Sequence, residues 1–152
     1  MSHLRKDSKT CCFFGDVKIK DISHCYKLLH ALIDEMIAKK YTHFLLADDS
    51  EFGAMAIESF IIFKIKYHHI ERVLVQSVNF YDPYYIKYFE RYFDSLLFKN
   101  LRLTPFEQYK NMIDNSSICV VYFDENVLSS DIKKAVQYAK EHDKKVLNLH
   151  FK

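Results

Sequence analysis

Glycine and proline are almost missing from this chain, with two of each in 152 residues. Turns and irregular loops draw on those residues, so their scarcity predicts regular elements joined by short connections. Long apolar runs are missing too. No stretch approaches the ~20 uncharged apolar residues that span a bilayer, and the polar opening Met1 to Lys9 is neither a signal nor a transit peptide. Both points exclude a membrane protein and lead to a cytoplasmic expectation. Charge of one sign is lacking: 22 basic and 20 acidic residues are interspersed, which leaves no electrostatic footprint for nucleic acid or a membrane surface. Paired metal-ligand spacing is absent among Cys11, Cys12, Cys25 and Cys119. Three of the four lie in apolar runs, as free thiols do in a reducing compartment.

What is present is apolar and aromatic, 49% and 16% of residues, which argues against disorder. The length suits one domain with a full core, expected over 10–152 after a flexible stretch of residues 1–9. No repeat, linker or low-complexity tract interrupts it. Short buried-type strands are predicted at Thr10–Phe14, His43–Ala47, Arg72–Gln76, Ser117–Phe123 and Lys145–Leu149. Between them, apolar residues at helical spacing mark helices over Ile22–Lys39, Ser50 to about Lys66, Tyr84–Phe98, Pro105 to about Asn115 and Ile132–Lys140. Asp82-Pro83 and Thr104-Pro105-Phe106-Glu107 carry helix-start signals, and Asp48 with Glu51 is the expected cap of the second helix. Strands alternating with helices predict an α/β fold, a Rossmann-like doubly wound parallel sheet of about five strands in the order 3-2-1-4-5, with helices on both faces.

Such folds bind ligands where strand ends turn into helices. The most conspicuous such turn is Asp48-Asp49-Ser50-Glu51-Phe52-Gly53. A phosphate site wants glycines and main-chain N–H groups there; this turn offers carboxylates. Asp16, Asp48, Asp49, Glu51, Asp124, Glu125 and Asp131 would all sit at one edge of the sheet. Three readings stay open for them: helix capping, a hard-cation site such as Mg²⁺, or docking of a basic protein. Glu51 or Glu58 could serve a hydrolase, although no histidine stands beside either. His68-His69 reads as a surface turn. The helix Tyr84–Phe98 presents aromatic residues over an arc of roughly 180°, wider than one sheet face needs. That surplus, led by Tyr88 and Tyr92 beside Tyr85, predicts a homodimer.

Several segments in order carry a family likeness. They are Cys11-Cys12-Phe13-x-Gly15, Ser50-Glu51-Phe52, Lys66-Tyr67-x-His69-Ile70-x-Arg72-Val73, Met112-Ile113-Asp114-x-Ser116 leading into Cys119-Val-Val-Tyr-Phe-Asp-Glu125, and Tyr138-Ala139-Lys140. Together they resemble the SLOG superfamily, the Rossmann-like domains related to LOG and DprA proteins, in its small stand-alone bacterial form. The resemblance implies a binding module for a nucleotide or nucleotide-derived ligand, with Gly15, Asp16, Ser50, Glu51, Phe52, Gly53, Tyr109, Asp124, Glu125, Ser130 and Asp131 as ligand-side positions. Within that set, Glu51, Asp124 and Asp131 are the candidate Mg²⁺ ligands. Alternatives are a small hydrolase of a nucleotide or N-glycosidic bond, and a protein-interaction member with no small ligand. The chain departs from the family pattern at the strand ends: Asp16-Val17 stands where His-Arg is common, Gln108-Tyr109 where Arg-Asn is, and Ser130-Asp131 where Gly-Thr is. The implied site is therefore a diverged one.

Overall fold

The computed structural model describes residues 9–15, 18–48, 50–75, 83–97, 103–126 and 131–151. Their elements run in the order β1 (Thr10–Gly15), α1 (Ile22–Ala38), β2 (His43–Leu46), α2 (Glu51–Lys66), β3 (Glu71–Leu74), α3 (Pro83–Tyr92), β4 (Ser95–Leu96), α4 (Pro105–Asp114), β5 (Ile118–Tyr122), α5 (Asp131–Glu141) and β6 (Lys145–Asn148), closed by a 3-10 turn at Leu149–Phe151. All strands are parallel, in one sheet ordered β4-β3-β2-β1-β5-β6. The five longer strands take the expected order, and β4 adds a sixth at the edge. The fold is thus α/β, with a doubly wound, Rossmann-like sheet.

Covering both faces of a parallel sheet demands strands apolar on both sides, and β1 meets that demand with six buried residues in a row. Cys11 and Phe13 face a core shared with α1, α2 and Phe93 after α3. Cys12 and Phe14 face a second core against α4 and α5. Phe60 of α2 anchors the first core, with its ring 4.7 Å from Phe44 and 5.4 Å from Phe13. The four cysteines are free and buried within these layers, and burial raises the Cys11 and Cys12 thiols well above their ordinary range. Among the described residues, no helix is long and apolar enough to cross a membrane.

Helix ends follow local chemistry. Thr104 and Glu107 form the expected reciprocal capping box at α4, with proline just inside it. With glycine so scarce, left-handed positions after α1 and α5 fall to Lys40 at φ 75° and Asp143 at φ 59°. Residues 1–8 lie outside the described set, but Lys9 is tied in: its carbonyl accepts from Thr42 N and His43 N.

The third helix departs from expectation. It ends at Tyr92, and Ser95–Leu96 form a strand beside β3. A buried ion pair explains the break. The Asp94 carboxylate accepts from the Arg72 backbone N–H at 2.8 Å and from Arg72 Nε at 3.1 Å and Nη2 at 3.3 Å. Lys64 Nζ lies 3.4 Å from the same group, and the Arg72 side chain is only 8% accessible. The break lets the Asp94 carboxylate reach that guanidinium, and the residues after it pair with β3.

Burial alone would push the Asp94 carboxyl up, but the Arg72 hydrogen bonds and the Arg72 and Lys64 charges outweigh it and hold it below its usual value. A depressed folded-state carboxyl stabilises the fold above its unfolded pKa of about 4, and that contribution is lost as pH falls through the folded value. Asp94→Asn should therefore cost about 1–3 kcal/mol at neutral pH. In urea melts, the gap from wild type should narrow between pH 7 and pH 3. A gap that stays constant with pH would refute this account of the break.

Candidate functional site

The chain reverses its winding between β1 and β5. From β1 it proceeds outward to β2, whereas β5 pairs with the other side of β1, and the crevice beyond their carboxyl ends is where such folds hold ligands. Gly15 ends β1 in register with Tyr122 of β5. A Cβ at Gly15 would stand 2.7 Å from the Tyr122 carbonyl oxygen and 3.1 Å from Phe52 Cβ. Glycine is required here by close approach.

Phe52, in the first turn of α2, is fully buried against this junction. Its ring stacks on Tyr122, with centroids 6.0 Å apart. Ile19, between β1 and α1, sinks into the same core. Two hydrogen bonds hold that connection down. Ile19 N–H donates to Glu51 Oε2 at 2.9 Å, and Lys20 N–H donates to the Tyr122 hydroxyl at 3.2 Å. Residues 18–20 thereby form a strap across the ends of β1 and β5.

The cap of α2 is a correction to the sequence reading. Ser50, not Asp48, is the N-cap, and its Oγ accepts from Gly53 N–H at 3.0 Å. Gly53 is buried in that first turn. Asp48 is near enough to α3 that its charge, after burial, helps push the Tyr88 phenol up to about 12. Glu58 is exposed on α2.

Beyond β5, Asp124 turns back on its own chain and accepts from Asn126 N–H at 2.9 Å. That N–H holds its carboxyl below the ordinary range, and the charges of His150 and Lys20 add to the effect. Glu125 is exposed in the following turn, and Asp131 is exposed as the first residue of α5, where a carboxylate suits the positive end of the helix. Asp16, Asp49 and Ser130 lie outside the described residues. Tyr109 is a core residue, buried with its ring stacked 5.0 Å from Phe14.

Among the described residues, no three His, Cys, Asp or Glu side chains come together as a metal site. Of the described carboxylates, Glu51 and Asp124 accept from main-chain amides, Asp48 acts on Tyr88 of α3, and Glu125 and Asp131 are exposed. Sequence reasoning also passed over basic groups here, since Lys20 and His150 act on Asp124 from distant parts of the chain. Asn148 was missed as well. Its side chain clasps the end of β5, donating to Phe123 O at 2.9 Å and accepting from Phe123 N–H at 3.2 Å.

No protein-family model and no curated protein matches this chain.

Of the proposed dimer residues, Tyr88 and Tyr92 are half-buried and pack against the α1–α2 core, with their rings 4.7 Å apart. The Tyr85 side chain lies outside the described set. The wide aromatic arc is also corrected, because Leu96 and Leu97 belong to β4 and the residue after it rather than to the helix.

Gly15→Ala should destabilise the fold by about 1–3 kcal/mol through overpacking against main chain. The check is the urea midpoint; an unchanged value would mean β1 and β5 can separate at this point without cost.

Proposed function

We propose that this domain is a non-catalytic binding module of the SLOG kind, taking a nucleotide or nucleotide-derived ligand above the carboxyl ends of β1, β2 and β5 at a site diverged from that family's. One observation carries the non-catalytic part. The Glu51 carboxylate and the Tyr122 hydroxyl, the polar groups best placed for chemistry at the junction, are both engaged by main-chain amides of the strap. A general acid or base must be within reach of a substrate proton, and Glu51 would have to release Ile19 to serve as one. Binding is supported by the winding reversal beside the first turn of α2. Four buried free thiols suit the cytoplasm as the compartment.

The exposed groups around the crevice are mixed. Asp48, Glu125 and Asp131 are acidic, and the exposed lysines are Lys18 and Lys20 of the strap and Lys133 and Lys134 at the start of α5. A bare phosphate would meet like charges, each worth ~4 kcal/mol at 4 Å and an effective dielectric near 20. AMP and ADP-ribose should accordingly bind weakly in calorimetry without a divalent cation. Addition of Mg²⁺ should strengthen binding by carrying positive charge with the phosphate, and Glu51, Asp124 and Asp131, which do not form a metal site with one another, are to be substituted singly. Tight, metal-independent binding would show that main-chain amides still govern the turn. Turnover of a nucleoside monophosphate would instead favour the hydrolase, and a co-purifying protein without any small molecule would favour an interaction member.

Pairing of two copies through α3 belongs to the same proposal. Tyr84, 77% exposed, opens the helix on which Tyr88 and Tyr92 are half-covered. Light scattering should give a dimer mass at tens of micromolar, and Tyr84→Glu with Tyr88→Glu should shift it to monomer. A monomer mass for the wild type ends this part of the proposal.

A further inference from the structure

The amino edge of the sheet has a different character. On the face covered by α1, α2 and α3, the closing 3-10 turn packs against α1 and β5. Lower down, beside the C-terminal half of α1, Ile118 of β5 and Leu147 of β6 stay half-buried. β6 is an edge strand, and no helix among the described residues lies over it on this side. The space left is a groove of about 460 Å³, within the range of small-ligand sites. Leu32 and Met36 of α1 face Ile118 and Leu147 across it, which makes its floor apolar.

Its rim is cationic. Four lysines line the groove, against Glu35 as the one acid. Two of the four are engaged. Lys9 Nζ donates to the Lys39 carbonyl at 2.8 Å, and Lys39 Nζ pairs with Glu35 at 2.7 Å. The first contact covers the end of α1, whose partial negative charge would otherwise repel an anion; the second neutralises the acid. The side chains of Lys40 and Lys145 make no hydrogen bond and no ion pair within 4 Å among the described residues, although the Lys145 charge helps Lys39 to lower the Glu35 carboxyl. Lys40 and Lys145 come from different elements, the turn after α1 and the start of β6. Tyr41 lines the groove between them, its hydroxyl 3.1 Å from Ser117 Oγ.

We propose that this groove binds a small organic anion, with an apolar or aromatic body lying on Leu32, Ile118 and Leu147 and a carboxylate, phosphate or sulfonate held by Lys40 and Lys145. The two requirements act together. A simple ion would leave the floor wet, and an uncharged hydrocarbon would leave the Lys40 and Lys145 ammonium groups without a direct anionic contact. The site is at the opposite edge from the crevice and stands independently of the function proposed above.

The test titrates the full chain with 8-anilinonaphthalene-1-sulfonate by fluorescence and maps the contact by amide NMR shifts. One saturable site is expected, with shifts at Tyr41, Ser117, Ile118 and Leu147. The double variant Lys40→Gln, Lys145→Gln changes exposed positions and should keep its thermal midpoint, while affinity falls about tenfold or more through loss of charged hydrogen bonds. Lys87→Gln on α3 should leave affinity unchanged. Uncharged N-phenyl-1-naphthylamine should bind more weakly than the sulfonate, and high salt should weaken the sulfonate. Shifts confined to the carboxyl edge, equal affinity in the double variant, or equal binding of the uncharged probe would each overturn the proposal.

Discussion

The close approach of β1 and β5 at Gly15 is the constraint on which the rest of the molecule depends. β1 is the central strand, buried on both faces and paired on both edges. Its last residue has no room for a side chain, because the Tyr122 carbonyl and Phe52 occupy the place a Cβ would take. That contact lets Phe52 drop to the level of the strand ends, which brings the neighbouring Glu51 within reach of Ile19. The first turn of α2, the strap and the end of β5 are therefore one packing unit. In a chain with two glycines, it is telling that one of them stands here.

Much of this fold is legible in the amino-acid sequence because its strands are buried on both faces. Runs such as Ile118–Tyr122 cannot be surface segments, and each is followed by residues at helical spacing. Right-handed crossovers then leave few ways to order the strands. The start of α4 was legible for a local reason: Thr104 and Glu107 satisfy each other's amides within four residues. The end of α3 was not. Its aromatic pattern continues smoothly through Phe93, Leu96 and Leu97, and nothing near Asp94 says that its partner is Arg72, 22 positions earlier. A two-residue strand held by a distant guanidinium has no local signal.

The candidate site was legible as a place but not as an arrangement. Topology alone brings the loops after β1, β2 and β5 to one edge, so the acids in them could be counted together. Their directions could not. Ser50 caps α2 because it stands one residue before the helix, whereas Asp48 two residues earlier is left to influence Tyr88. Asp124 is taken by the amide of Asn126. The basic groups that temper the edge, Lys20 and His150, belong to segments 130 residues apart, too far for any spacing rule. Tyr109 looked like a group that could stack on a base, and it stacks on Phe14 instead, because α4 lies flat on the second core.

The two edges of the sheet end up with opposite physical characters, and the reason is the same winding that makes the fold. At the carboxyl edge, chain connections return over the strand ends, so an aromatic pair and a hydrogen-bonded strap fill the junction. At the amino edge the connections are tight turns, and β6, reached last from β5 on the far face, has no helix over its near side among the described residues. Apolar side chains of a sheet edge must be covered or left partly wet; here Ile118 and Leu147 remain half-covered, with lysines around them. A ligand at the carboxyl edge must displace polar contacts already made, which lowers affinity unless it replaces each of them. A ligand at the amino edge gains apolar contact and counter-charge without breaking any hydrogen bond of Lys40 or Lys145. On that comparison, an anion meets lysine side chains free of hydrogen bonds at the amino edge, whereas at the carboxyl edge Glu51 and the Tyr122 hydroxyl are already bonded to the strap.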